Sequence, residues 1–142
     1  MATINATINV SSDILSYPVS ISKSMTMTKS ANPSVGLDET TGLRTKKFTS
    51  TTAAVIVEHD ELTDDKAHKV YIRNTGSSPT DFFYVALANG AAGATSTETI
   101  GRLYGGDWML IPWIATAATT HDIHVAPSTT SAMTLEYMVF QE

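Results

Sequence analysis

From Leu15 to Met27 the side chains alternate: Leu15, Tyr17, Val19, Ile21, Met25 and Met27 share one parity, while Ser16, Ser20, Ser22, Ser24 and Thr26 share the other. Successive side chains of a β-strand point to opposite sides, so this spacing predicts a long strand with one apolar and one hydroxyl-rich face. An apolar strand face has to lie on something, either a partner sheet or a neighbouring subunit. The same period of two returns through most of the chain, and no equally clear pattern marks a catalytic site.

At 142 residues the chain is one domain's worth, and a globule of roughly 150 residues buries about two-thirds of its unfolded surface, enough for a core of its own. Roughly a quarter of the residues are Ser or Thr; β-branched Thr favours strands and Ser favours the turns between them. With no cysteine, disulfide staples, thiolate zinc sites and thiol nucleophiles are excluded. The opening MATINATINV lacks the basic start and apolar stretch of a secretory signal, and no apolar run approaches the ~20 residues of a membrane span. A soluble protein is expected. Charge is uneven: residues 1–50 carry Lys23, Lys29, Arg44, Lys46 and Lys47 against Asp13, Asp38 and Glu39, whereas the remainder is strongly acidic and the whole chain stands at −5. An acidic body repels phosphate backbones, so nucleic acid is not an expected partner. Arg44, Lys46 and Lys47 form a small basic stretch suited to an acidic protein surface or, more commonly, to water.

Along the chain, the tandem ATIN at residues 2–9 reads as an arm, residues 1–12, ahead of a single domain spanning 13–142. Residues 31–45 gather Asn, Pro, Gly and Asp and read as a long loop. β character returns over 46–58. KVYIR (69–73) and DFFYVAL (81–87) are expected to form a hairpin, the second strand apolar on both faces and therefore central or covered by another chain. Residues 88–98 read as a loop. Strands 99–104 and 107–114 flank Gly105 and Gly106, a two-residue hairpin signature; further strands are expected over 121–126 and 133–140. Eight or nine short strands imply an all-β fold, a two-sheet antiparallel sandwich of jelly-roll type with an extended N-terminal arm.

The run Trp108 to Ile114 is apolar on both faces, and Pro112 cannot donate to a ladder and so belongs on an edge strand. An exposed apolar edge invites association, so Met109, Ile111 and Trp113 are candidates for a surface covered by another subunit, with a loop of the same chain as the alternative. Tyr104, Asp107 and Trp108 together make a palette suited to glycan contact, although core aromatics beside a turn are commoner. His121 and His124 point to opposite faces of a strand unless it is bulged, and His59 and His68 fall in an acidic turn where solvation is expected. Neither a metal nor a cofactor is expected. Gly106 to Pro112 resembles the second G-x5-P motif of cupins, yet Ile114 stands where that motif has glycine and no H-x-H with a following glutamate precedes it. No G-x-S-x-G or phosphate-cradling glycine loop occurs.

The strand and turn grammar of residues 48–142, AVIVEHDEL, KVYIRNTGSSPTDFFYVAL, IGRLYGGDWMLIPW and HDIHVAPSTTSAMTLEYMVF, resembles small all-β virion proteins of tailed bacteriophages, capsid decoration (cement) proteins in particular. The resemblance is one of style and carries no residue-by-residue motif. It implies a non-enzymatic structural protein, a homo-oligomer and often a trimer, that binds between capsomers on the outer surface of a shell after assembly in the host cytoplasm. Its partners would be the major capsid protein or other virion proteins, with no membrane involved. On this reading Leu15, Tyr17, Val19, Ile21, Met25 and Met27, the basic residues Arg44, Lys46 and Lys47, and Met109, Ile111 and Trp113 are the expected subunit or shell contacts. The alternative is a receptor- or glycan-binding module of a tail or fibre.

Overall fold

The computed structural model describes residues 3–13, 19–27, 37–64, 66–87, 98–116 and 121–141. Their regular structure is all strand: β1 (Ile4–Ser12), β2 (Val19–Met27), β3 (Glu39–Thr40), β4 (Arg44–Phe48), β5 (Ala54–Val57), β6 (His68–Asn74), β7 (Phe82–Leu87), β8 (Thr99–Tyr104), β9 (Trp108–Trp113), β10 (Ile123–Pro127) and β11 (Met133–Gln141). Among the described residues no helix is long and apolar enough to cross a membrane. The chain separates into two compact units, Met1–Glu39 with Glu142, and Thr40–Gln141. A division at residue 12 was the sequence expectation. The alternating strand that follows residue 12 pairs with β1.

In the first unit β1 and β2 form a two-stranded antiparallel ribbon whose register runs from Ile4 opposite Met27 to Ser12 opposite Val19. Directly opposed residues share a face. One face therefore carries Ile4, Ala6, Ile8 and Val10 against Met27, Met25, Lys23 and Ile21, and the other carries Asn and Ser/Thr.

The larger unit holds two antiparallel sheets, ordered β5-β10-β7-β8 and β3-β11-β6-β9, with β4 also paired to β11. Its pairings nest: β7 with β8, β6 with β9, β5 with β10, and β4 with β11, each antiparallel. Successive nested pairs alternate between the sheets. Two expected hairpins are therefore absent: β6 and β7 belong to different sheets, and so do β8 and β9. A Gly- or Ser/Pro-rich link marks a chain reversal, but it does not say whether the next strand pairs alongside or crosses to the facing sheet.

The inward faces of both sheets meet in one core. From the five-stranded sheet come Val70, Ile72, Leu135 and Val139, and from the four-stranded sheet Phe83, Val85, Ile123 and Val125, all fully buried. Burying an apolar side chain of this size is worth about 1.5–3 kcal/mol. Phe48 of β4 meets Phe83 of β7 edge-on, ring centroids 5.3 Å apart, and so joins the sheets directly. β7 is central, between β10 and β8; Phe83 and Val85 turn into the core while Phe82 and Tyr84 lie half-buried on the outer face.

A second junction forms at Asn74, which is buried. Its Nδ2 donates to the Leu103 carbonyl at 3.0 Å, its Oδ1 accepts from Gly76 N–H at 3.0 Å, and its carbonyl accepts from Gly106 N–H at 3.0 Å. Gly106 takes φ +89°, where an L side chain is strained, while Gly105 lies so close to the 77–78 backbone that an added Cβ would stand 2.6 Å from Ser78 N and O. We expect Gly105→Ala to lower unfolding free energy by about 1–3 kcal/mol through this overpacking, whereas Gly101→Ala, whose Cβ would meet open space, should change it by less than about 0.5 kcal/mol. Urea denaturation of the two variants checks the contrast; equal stabilities would remove the close approach from the account.

Candidate assembly surface

Three cross-strand hydrogen bonds bridge the ribbon's polar face. Thr26 Oγ1 donates to Asn5 Oδ1 at 2.7 Å, Ser22 Oγ donates to Asn9 Oδ1 at 2.6 Å, and the Thr7 and Ser24 hydroxyls share a hydrogen bond at 2.9 Å. These cross-strand pairs fix the register. On the opposite face Ile8, Val10, Ile21 and Met25 are exposed at 46%, 44%, 47% and 40%, and they surround Lys23, which stands opposite Ile8. An apolar row of this kind on a two-stranded ribbon is unusual, because an isolated hairpin is at best marginally stable in water. Lys23 does not preclude burial of its neighbours, since a lysine stem lies along apolar surface while its ammonium reaches water or a carboxylate.

Of the strand residues expected to make contacts, Ile21 and Met25 are on this exposed row, Val19 is half-buried and Met27 is buried. Leu15 and Tyr17 lie outside the described residues. Sequence reasoning missed Ile8 and Val10 as members of the same patch, although the ATIN alternation was the available signal: it places Ile4, Ala6, Ile8 and Val10 on one parity.

The edge-strand expectation divides. β9 does close the five-stranded sheet, as Pro112 requires. But Met109, Ile111 and Trp113 stand opposite Ile72, Val70 and His68 in the register with β6, so they face the chain's own core. Trp113 is buried, donates Nε1–H to the His121 carbonyl at 2.7 Å, and meets the His68 ring edge-on at 5.3 Å. Its own chain covers it, which corrects the expectation that a second subunit does. The parity left outside is the other one, where Trp108 is 50% exposed beside Leu110.

Two residues of the basic stretch find partners within the chain. Arg44, Lys46 and Phe48 share a parity, opposite Tyr137, Leu135 and Met133 of β11. Lys46 Nζ accordingly donates to the Val55 carbonyl at 2.9 Å and lies over the Phe48 ring, and Arg44 pairs with Glu61. Arg44 stays 42% exposed in that pair, and Lys47 is exposed on the opposite parity. The glycan trio does not converge either: Tyr104 stands opposite Phe82 on the outer face of the four-stranded sheet, Trp108 lies on the outer face of the five-stranded sheet, and Asp107 Oδ2 caps the turn by accepting from Tyr104 N–H at 2.9 Å.

The histidines are structural and better enclosed than their acidic neighbourhood suggested. His59 N–H and Nδ1 both meet Asp122 Oδ1, at 2.7 and 2.8 Å, and His124 is buried with Nε2 3.9 Å from Asp122 Oδ2. His121 Nδ1 bonds the Thr116 hydroxyl at 3.0 Å. Among the described residues no group of three His, Asp or Glu side chains has the geometry to hold a metal. His68, expected in solvent, opens β6 and is 1% exposed. Gln141 Oε1 accepts from Thr63 N–H at 3.1 Å and stands 3.3 Å from His68 Nε2. As that oxygen is an acceptor, Nε2 carries the imidazole's hydrogen. Burial pushes His68 below the ordinary histidine value of 6.5, and the Gln141 contact opposes this only in part.

Comparison with protein-family models, with curated proteins and with solved structures finds no match for this chain.

Two outcomes follow from the enclosed ring pair. Unfolded chain takes up a proton on His68 below about pH 6.5 while the folded chain resists it, so this contribution to stability is intact above 6.5 and is lost as pH falls from there toward the lowered folded value. Unfolding free energies from urea titrations between pH 7.5 and 5 should therefore fall more steeply for the wild type than for His68→Phe, by at most about 1.4 kcal/mol per pH unit; parallel slopes would contradict this. Trp113→Phe should cost about 1–3 kcal/mol by leaving the His121 carbonyl without its donor, with light scattering reporting an unchanged oligomeric state.

Proposed function

We propose that this chain is a non-enzymatic structural protein of a virion, of the capsid decoration or cement type, which holds neighbouring capsomers together on the outer surface of a shell. The observation that carries this reading is the ribbon: a strand pair bridged by three hydrogen bonds on its polar face, with an apolar row, Ile8, Val10, Ile21 and Met25, left 40–47% exposed. Such a face is suited to being covered by another polypeptide. Its partners on this reading are copies of the same chain, as a trimer, and the major capsid protein or another virion protein. Neither nucleic acid nor a membrane enters the proposal.

For the larger unit we propose a jelly roll. What supports it is the nesting of β7·β8, β6·β9, β5·β10 and β4·β11 with successive pairs alternating between sheets, the pattern of one long antiparallel hairpin folded over on itself. The stylistic likeness of residues 48–142 to phage virion proteins narrows the class of assembly. Many equivalent weak contacts on a lattice reinforce one another through effective concentration, so a modest apolar row is sufficient for attachment.

Full burial of a half-exposed Ile or Val is worth about 1 kcal/mol more, and an unpaired carboxylate in its place opposes burial altogether. Ile8→Asp with Ile21→Asp should thus shift the oligomer to monomer mass in light scattering and abolish retention on purified shells, with the strand signal of the larger unit intact by circular dichroism. Deletion of residues 1–12, which removes β1, should do the same. Undiminished shell occupancy by either variant would remove the ribbon from attachment, and a copy number of a few per particle in place of hundreds would point to a tail or neck role.

A further inference from the structure

The outer face of the four-stranded sheet carries an aromatic cluster. Phe82 stands edge-on to Tyr84, centroids 4.9 Å apart, and tilts against Tyr104 at 5.0 Å; the Arg102 guanidinium lies 4.7 Å from the Phe82 centroid and 5.3 Å from that of Tyr84. The register explains the grouping. Phe82 opposes Tyr104 and Tyr84 opposes Arg102, while Phe83 and Leu103 between them turn into the core. The two β7 rings are therefore braced from the β8 side. On their other side, toward β10, a groove of about 420 Å³ opens, lined by these rings with Pro127, Thr51, Asp81 and Ser128 among its walls. That volume lies within the usual range of small-molecule sites, roughly 300–1,000 Å³.

The polar groups of this groove are held in place with capacity to spare. Phe82 N–H donates to Ser128 Oγ at 3.0 Å and Ser128 N–H donates to the Phe82 carbonyl at 2.9 Å, so the Ser128 hydroxyl hydrogen remains available to a further acceptor. Asp81 is positioned through its backbone, whose N–H donates to Ser78 Oγ at 3.2 Å; its carboxylate has no partner among the described residues. The groove thus combines a braced aromatic surface, a carboxylate acceptor and hydroxyl groups.

We propose that this groove binds a neutral hexose unit of a carbohydrate, with the apolar C–H face of the sugar on Tyr84 and Phe82 and its hydroxyls bonded to Asp81, Ser128 and Thr51. A pyranose has the matching anatomy, one face of C–H bonds and a rim of hydroxyls that each donate and accept. A purely apolar ligand would strip water from Asp81 without replacing its hydrogen bonds. An anionic sugar would set its charge against the same carboxylate. Because Arg102 and Tyr104 already fix the rings, little ordering cost is left for binding. Trp108 and Asp107 take no part, and the site is independent of the assembly reading.

The test is a glycan array of neutral and anionic saccharides followed by calorimetry on the hits. Wild type should bind neutral terminal hexosides, Asp81→Asn and Tyr84→Ala should each weaken binding about tenfold or more, and Trp108→Ala should leave it unchanged. Thermal melts identify any variant that fails to fold; Asp81→Asn changes only a half-exposed carboxylate and so keeps the test decisive if Tyr84→Ala unfolds. The proposal is overturned if no neutral saccharide binds at millimolar concentration, if only anionic ones do, or if affinity survives the Asp81 substitution. Shell retention of Asp81→Asn should equal that of wild type, so failure here and failure of the ribbon as an attachment surface are separately visible.

Discussion

The fold rests on one constraint, that the inward parities of the longer strands in the larger unit must fit a single apolar layer shared by two sheets. Val70 and Ile72 on β6, Leu135 and Val139 on β11, Phe83 and Val85 on β7, and Ile123 and Val125 on β10 are fully buried together. A one-residue slip in any of these strands would turn its whole apolar set outward. Nested pairing multiplies the constraint, since each strand is held by partners distant in sequence: β11 pairs with β4 and β6, and β7 with β8 and β10. Phe48 against Phe83 and the hydrogen bonds of Asn74 then tie the sheets to each other at two points.

Against this background the ribbon differs in kind. Its polar face is locked by side-chain hydrogen bonds between β1 and β2, but its apolar row stays exposed. Three exposed polar pairs, each worth about 0.2–1 kcal/mol, do not make a two-stranded ribbon robust. Covering the apolar row would supply what is missing, which links the local energetics of the ribbon to the proposal of assembly. The larger unit, in contrast, encloses its own apolar edge: β9 gives Met109, Ile111 and Trp113 to the core and leaves Trp108 outside.

Much of this was legible. The thirteen-residue alternation predicted a strand with one apolar face, Pro112 predicted an edge, and the two-sided apolarity of 81–87 predicted a central strand. The errors share one origin. For β9 the residues fall into two sets, Trp108 with Leu110 and Met109 with Ile111 and Trp113, and both are apolar; hydropathy cannot say which faces in. For β4 the lysine and arginine drew attention to charge, while the parity they share with Phe48 was the informative signal. The acidic residues before His68 point to solvent, yet its neighbours in space are Trp113 and Gln141, 45 and 73 positions away. The groove on the four-stranded sheet was invisible for the same reason, as Asp81, Ser128 and Thr51 converge only through strand pairing.

The amino-acid sequence by itself determined that this protein is built of strands, that most of them have a face to bury, and that neither thiol chemistry nor a disulfide contributes. Tertiary structure decided which parity of each strand turns inward, which links become hairpins and which cross between sheets, and which apolar residues remain exposed. The physical reason is that a period of two is a local property of the backbone, whereas pairing and enclosure depend on contacts between residues far apart in the chain.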